Sequence, residues 1–191
     1  FISTILLATT AGDIWRKSKG KLSRLGKLSK SYWGMVIAHT GLAITVIGIT
    51  VVSNYSVEKA VKMYPGGVAT LSGYDFKFAE AGRKQGPNYL ADVGVFEISK
   101  AGKLVATLHA EKRRYKVKGS MMTEAAIDAG LFRDLYVSMG EPLEDGAWGM
   151  RLQVKAYMRW VWLGAIFMCV GGLLAILDKR YRLRPKNASA S

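Results

Sequence analysis

The sequence predicts an α+β membrane protein in which transmembrane helices flank an extracytoplasmic antiparallel β-barrel or β-sandwich domain. Three observations lead there. Residues 33–53, WGMVIAHTGLAITVIGITVVS, carry no charge, and a helix of that length at about 1.5 Å per residue covers the roughly 30 Å hydrocarbon core of a bilayer. Residues 157–177, YMRWVWLGAIFMCVGGLLAIL, form a second such run whose single charge is Arg159 near one end. Between them the pattern changes from continuous apolarity to period-two alternation punctuated by Gly and Pro, which is how short antiparallel strands are written.

Charge places these elements relative to one another. The chain has 191 residues, 50% of them hydrophobic, a mean hydropathy of only +0.11 and a net charge of +14. The excess is local: residues 16–30 hold seven basic residues and no acid, and five more follow Asp178. Residues 54–156 are nearly balanced, with fifteen Lys/Arg against twelve Asp/Glu. A charge excess confined to the ends of apolar spans is the positive-inside pattern, so a nucleic-acid-binding face is not expected. Both basic stretches then lie on the cytoplasmic side and the balanced segment lies outside.

Taken in order, residues 1–15 are expected to be the end of a truncated transmembrane helix. The apolar part, residues 1–12, reaches only about 18 Å as a helix, no Met initiates it, and its basic cluster follows instead of preceding it, unlike a signal peptide. The chain therefore reads as the C-terminal fragment of a larger membrane protein. Residues 16–32 are a basic cytoplasmic loop, and Tyr32 and Trp33, where the chain enters the membrane, are a pair suited to the interfacial belt. Along the helix at 33–53, Gly34, Ala38, Gly41, Thr45 and Gly48 alternate four and three apart and make one face narrow enough for close helix contact. In the periplasmic β-rich domain, 54–156, alternation marks Tyr74, Phe76 and Phe78, then Tyr89 to Val95, then Leu104 to Leu108, with KAGK at 100–103 as a turn. Shorter strand candidates are 68–71, 115–117, 135–139 and 150–154, separated by turns at 65–67 and 86–88. Residues 157–177 are the last span, with Trp160 and Trp162 near its outer interface, and residues 178–191 a basic cytoplasmic tail.

His39 is the main chemical clue. An imidazole inside a span has lost its water and needs a partner, so it is a functional candidate by default. It lies roughly 100–140° around the helix from the small-residue seam, on the face of Ala43, Val46 and Thr50, about 9 Å beyond Trp33 in the cytoplasmic half of the membrane. Three roles fit: half of a bis-histidine haem site, a structural hydrogen bond to a neighbouring helix, or a proton carrier. Imidazole suits haem iron because one nitrogen takes the axial position while the other is fixed by a neighbour. The other residues read more plainly. His109 is expected to be a surface or hydrogen-bonded strand residue. Lys112, Arg113, Arg114, Lys116 and Lys118 are expected to form a solvated strand edge, with an anionic propionate or acidic partner as the second reading. The lone cysteine, Cys169, is expected to be a small packing residue, since no second thiol can pair with it. No catalytic triad, phosphate loop or paired-carboxylate signature stands out.

Six blocks in order give the chain a resemblance. GMVIAHTG at 34–41, GPNY at 86–89, EKRRY at 111–115, MTEAAI at 122–127, DLYVSMG at 134–140 and RWVWLG at 159–164 together resemble the C-terminal third of the CcmF family, haem lyase subunits of cytochrome c maturation related to NrfE. The match runs from about residue 12 to 184. It departs from the family at QVKAYM before the last span and in lacking a proline before EKR. The resemblance implies that His39 corresponds to an axial ligand of the iron of an intramembrane haem b, with the second axial ligand outside this fragment. It implies a function in attaching haem to the CXXCH motif of apocytochrome c, in the bacterial inner membrane or the mitochondrial equivalent. The implied partners are a haem chaperone, apocytochrome c, another maturation-complex subunit and, as electron donor, quinol. The fragment alone is not expected to be catalytic. The alternative function is a membrane-anchored periplasmic binding or assembly module with no haem of its own.

Overall fold

The computed structural model describes residues 2–21, 25–26, 28–117 and 119–178. Lys118, the tail after Asp178 and part of the basic loop (residues 22–24 and 27) lie outside the described residues, and so do the expectations placed on them. The chain divides into two compact units, one of helices (residues 1–50 and 159–191) and one of strands (residues 51–158).

The helical unit contains α1 (Ile2–Ser18), α2 (Lys30–Tyr55) and α3 (Met158–Ile176). Helix α1 continues through Arg16 and Lys17 because Asp13 pairs with both, at 2.8 and 3.4 Å, one turn away on the same face. Helix α2 starts where the Ser29 hydroxyl accepts the Tyr32 N–H at 3.2 Å, an N-cap bond. Two helices, α2 and α3, are long and apolar enough to cross a membrane, with mean hydropathies of 2.1 and 1.8.

The β unit is a sandwich, which resolves the expectation of barrel or sandwich. Its strands are β1 (Val57–Met63), β2 (Val68–Leu71), β3 (Tyr74–Gln85), β4 (Tyr89–Lys100), β5 (Lys103–Tyr115), β6 (Met121–Glu124), β7 (Ala126–Ala129), β8 (Arg133–Pro142) and β9 (Trp148–Ala156). One sheet, β1-β9-β8-β7, faces another, β2-β3-β4-β5-β6, and all pairings are antiparallel. The alternation at Tyr74, Phe76 and Phe78 becomes core directly. In β4, however, Phe96 and Ile98 are buried where Val93 and Val95 were expected, these two being only partly buried, and Leu104 of β5 is exposed. Phe76, Phe78, Phe96 and Ile98 of one sheet and Leu135, Val137, Met139 and Leu152 of the other are fully buried. Phe78 and Phe96 sit opposite each other in register, and their rings stack at 5.0 Å. Gly94 is small because the core needs it to be: a Cβ there would meet the Met139 sulfur at 2.6 Å.

Three strands have no strong sequence signal. β1 is mostly exposed, and β6 and β7 are four residues each, separated only by Ala125 as the chain passes from one sheet to the other. The expected strand at 115–117 is instead the end of β5 followed by a turn, because the Gly119 and Lys116 N–H groups donate to the Tyr115 and Asn88 carbonyls.

Candidate functional site

Helix α2 combines a packing face with a reactive side chain. The small residues seen in the sequence are a contact seam. Cβ atoms on Gly34 and Gly41 would come within 2.5 and 2.6 Å of the Gly171 and Gly164 carbonyl oxygens of α3, and one on Gly48 within 3.0 Å of the Val161 backbone nitrogen. Partners therefore run down α3 as the positions rise along α2, so the two helices are antiparallel with backbones in contact, as small-residue seams allow. Thr40, Thr45 and Thr50 return their hydroxyls to carbonyls one turn back at 2.9, 3.0 and 2.8 Å, which satisfies them without water. At one end the Asp178 carboxylate just beyond α3 accepts the Ser31 N–H at 2.9 Å, closing the pair.

His39 lies off this seam and is half-buried. Tyr32, Val36 and Ala43 lie within about 60° of its direction, and all three are buried, Ala43 completely. The face that the sequence left open for the imidazole is therefore partly covered. Helix α1 docks on the same stripe, since the Tyr32 hydroxyl donates to Asp13 at 2.9 Å and Lys17 Nζ lies 4.1 Å above the Tyr32 ring. Among the described residues His39 makes no hydrogen bond. An imidazole in that position keeps a ring nitrogen lone pair for a metal or ligand, and a ring N–H for a partner on another chain segment.

The basic segment of β5 departs from expectation. It is no free edge, because β6 pairs with it from Glu111 to Arg114. Arg113 bonds Glu111 at 2.8 Å and Glu124 at 3.1 Å, and its guanidinium stacks 4.7 Å from the Tyr89 ring. Lys112, with only 14% of its side chain exposed, meets Glu141 of β8 at 2.8 Å. These charges close the sandwich, and among the described residues of the run Arg114 and Lys116 stand in solvent. The Arg113 guanidinium beside Glu111 holds that carboxyl below its usual range. The signal was present in EKR: residues two apart on a strand share a face, so Glu111 and Arg113 were positioned to pair.

Of the remaining candidates, His109 is exposed on β5 opposite Val95, as expected of a surface histidine. Cys169 is not a packing residue. It is exposed, because it lies about 160° around α3 from the Gly171 seam position. Trp162 is 69% exposed on the same helix. Sequence reasoning missed one polar cluster, in which Lys62 and the Tyr64 hydroxyl both bond Asp145 and tie β1 to the β8–β9 turn. These residues lie more than eighty positions apart, and only the β1–β9 register brings them together.

Residues 54–156, the whole sandwich, match the family described as the CcmF C-terminal beta-sandwich. The chain belongs to the CcmF family. It is 51% identical over 170 residues to the cytochrome c-type biogenesis protein CcmF of Pseudomonas aeruginosa, covering 89% of this chain and 26% of that one. It is 48% identical over 164 residues to CcmF of Escherichia coli, covering 86% and 25%. Identity to the cytochrome c-type biogenesis protein NrfE of Haemophilus influenzae is 36% over 175 residues, covering 92% and 26%. The chain thus spans about a quarter of the length of its curated CcmF relatives. The solved structure of the cytochrome c heme lyase CcmF shares its fold at a TM-score of 0.70 and 15% identity, over 88% of this chain and 29% of that one. The curated relatives are named as cytochrome c-type biogenesis proteins, and the protein whose fold this chain shares is named a cytochrome c heme lyase.

Proposed function

We propose that this CcmF chain is part of a membrane subunit of a cytochrome c haem lyase, in which His39 supplies one axial ligand to an intramembrane b-type haem. The single observation that carries the reading is the state of His39. It is a half-buried imidazole on an apolar helix, set apart from the α3 seam and without a hydrogen-bond partner among the described residues. Leaving a polar ring unsatisfied in hydrocarbon is costly, so a ligand or a partner from the rest of the protein is expected there. The residues present fit one side of a haem: a nitrogen donor flanked by Val36 and Ala43, with α1 and α3 fixing the helix on either hand. The opposite ligand belongs to chain beyond this one.

When bound, such a haem would supply electrons, from quinol, that keep the incoming haem iron reduced while its vinyl groups meet the two thiols of apocytochrome c. This chain's own part is to hold and orient. Gly34, Gly41, Gly164 and Gly171 fix α2 against α3, so the imidazole direction is set by packed backbone. Helices α2 and α3 span the bacterial inner membrane, or its mitochondrial counterpart, with the basic loop and tail in the cytoplasm and the sandwich in the periplasm. There the sandwich meets the haem chaperone, apocytochrome c or another maturation subunit.

The test is the haem content of the purified full-length parent. A His39→Ala variant should lose most of its b-type haem and of its cytochrome c yield, while the protein remains in the membrane at normal abundance. Unchanged haem content would remove the proposed ligand.

A further inference from the structure

Both apolar helices join the sandwich at one end of the β1-β9-β8-β7 sheet. Helix α2 ends at Tyr55 and β1 begins at Val57; β9 ends at Ala156 and α3 begins at Met158. Register puts Val57 beside Val154, and Ala156 beside Arg133, the first residue of β8. The loop from β7 to β8, Gly130, Leu131 and Phe132, therefore opens at the same end. This loop is tied to the chain just before α3. The Tyr157 N–H donates to the Phe132 carbonyl at 3.0 Å, and the two rings meet edge to face at 5.8 Å. It is also held from within, because the Gly130 N–H is shared between the Arg133 carbonyl at 3.0 Å and the Asp134 carboxylate at 2.9 Å.

A held turn on a soluble surface ordinarily carries Gly, Asn, Asp or Ser at its tip. This one carries Leu131 and Phe132, 69% and 60% exposed. The opposite end of the sheet is mixed at the corresponding place: its β8–β9 turn carries Glu144 and Asp145, the latter bound by Lys62 and Tyr64, beside Leu143, which is 41% exposed. The tip at the end that leads into the helices is the more apolar and the more exposed of the two. One residue beyond Tyr157, the first turns of α3 bring Arg159, Trp160 and Trp162, residue types that settle at the headgroup level.

We infer that Leu131 and Phe132 form a wedge that inserts into the headgroup–acyl boundary of the leaflet where α3 begins, seating the sandwich on lipid. The occupant of this surface is the bilayer itself, because the tip is bonded to the residue that precedes a bilayer-length helix. An aromatic and an aliphatic side chain at that depth are buried as interfacial apolar groups are, roughly 5–10 Å below the headgroups. The inference rests on the reading of α3 as a membrane span.

The full-length parent is reconstituted into phosphatidylcholine vesicles containing phosphatidylglycerol, with an environment-sensitive fluorophore on one cysteine at a time and every other cysteine replaced by alanine. The labelled positions are Phe132→Cys, Leu131→Cys, which keeps the Phe132–Tyr157 contact, Glu144→Cys at the far turn, and native Cys169, midway along α3. In the bilayer the labels at 131 and 132 should emit blue-shifted, and lipids brominated near the headgroup should quench them while leaving the label at 144 unchanged. Lipids brominated deep in the chain should quench Cys169. Quenching at Cys169 without quenching at 131 or 132 would overturn the lipid seat and leave the span intact. In that outcome, water-like emission places the tip in solvent, and blue-shifted emission places it against protein. No quenching at Cys169 would overturn the span and, with it, the wedge.

Discussion

His39 and Asp145 illustrate two ways in which one residue carries meaning in this chain. His39 was legible because a bilayer-length run tolerates few polar atoms, so the one imidazole in it demanded a reason. Its surroundings were less legible: Tyr32, at one end of the covered stripe, is held by α1, and the Asp13–Tyr32 bond joins residues nineteen apart across a basic loop. Asp145 was invisible, one acid among many until the fold set it beside Lys62 and Tyr64. Those two groups hold its carboxyl well below the ordinary 3.8, at about 2. A depressed carboxylate contributes stability that is complete above its unfolded value and lost as pH falls through its folded one. The stability of the sandwich should therefore decline between about pH 4 and pH 2. In urea titrations stepped through that window, Asp145→Asn should show a shallower decline than the parent, and an identical slope would rule the cluster out as a contributor.

At the scale of elements, alternation predicted several buried faces but misplaced that of β4, where Phe96 and Ile98 rather than Val93 and Val95 are buried. Tyr74, Phe76 and Phe78, Leu135 to Met139, and Met150 to Val154 all became buried faces. β1, β6 and β7 escaped because their existence depends on pairing: β1 is exposed along most of its length and is held by β9. The β4–β5 turn was read from KAGK, and both its central residues have positive φ, Ala101 at 49° and Gly102 at 76°, the backbone of a two-residue hairpin turn. Alanine is strained there, so Ala101→Gly should raise stability by about 1 kcal/mol, read as a higher urea midpoint; no change or a loss would contradict the strain. The helix pair offers a sharper contrast in two adjacent glycines. A Cβ at Gly171 would come within 2.5 Å of the Gly34 carbonyl oxygen, whereas one at Gly172 meets nothing within 4 Å. Gly171→Ala should lower the melting temperature of the detergent-solubilised protein by several degrees, through a cost of about 1–3 kcal/mol. Gly172→Ala should leave it level or raise it, since alanine gains about 1 kcal/mol in a helix. Equal effects at the two positions would mean the seam is not closed as described.

Across the whole molecule, two units with separate logic are joined through neighbouring strands of one sheet. The sandwich rests on its own phenylalanine, leucine and methionine core and the helical unit on glycine contacts, so substitutions in one should not unfold the other. The order of elements was readable because bilayer-length apolar runs and period-two strands are unlike one another, and the family because six blocks occur in order. What sequence patterns could not give is how the basic run of β5 is spent, which depends on Glu124 and Glu141 arriving from other strands. The chain is about a quarter of its relatives' length, and the proposal makes His39 this segment's donor to the haem. The most direct measurement is a reduced-minus-oxidised absorbance spectrum of the full-length parent carrying His39→Gly, recorded with and without added imidazole. The account predicts that the b-type bands are lost on substitution and return when free imidazole occupies the gap left by the side chain. Bands that survive the substitution unchanged would contradict it.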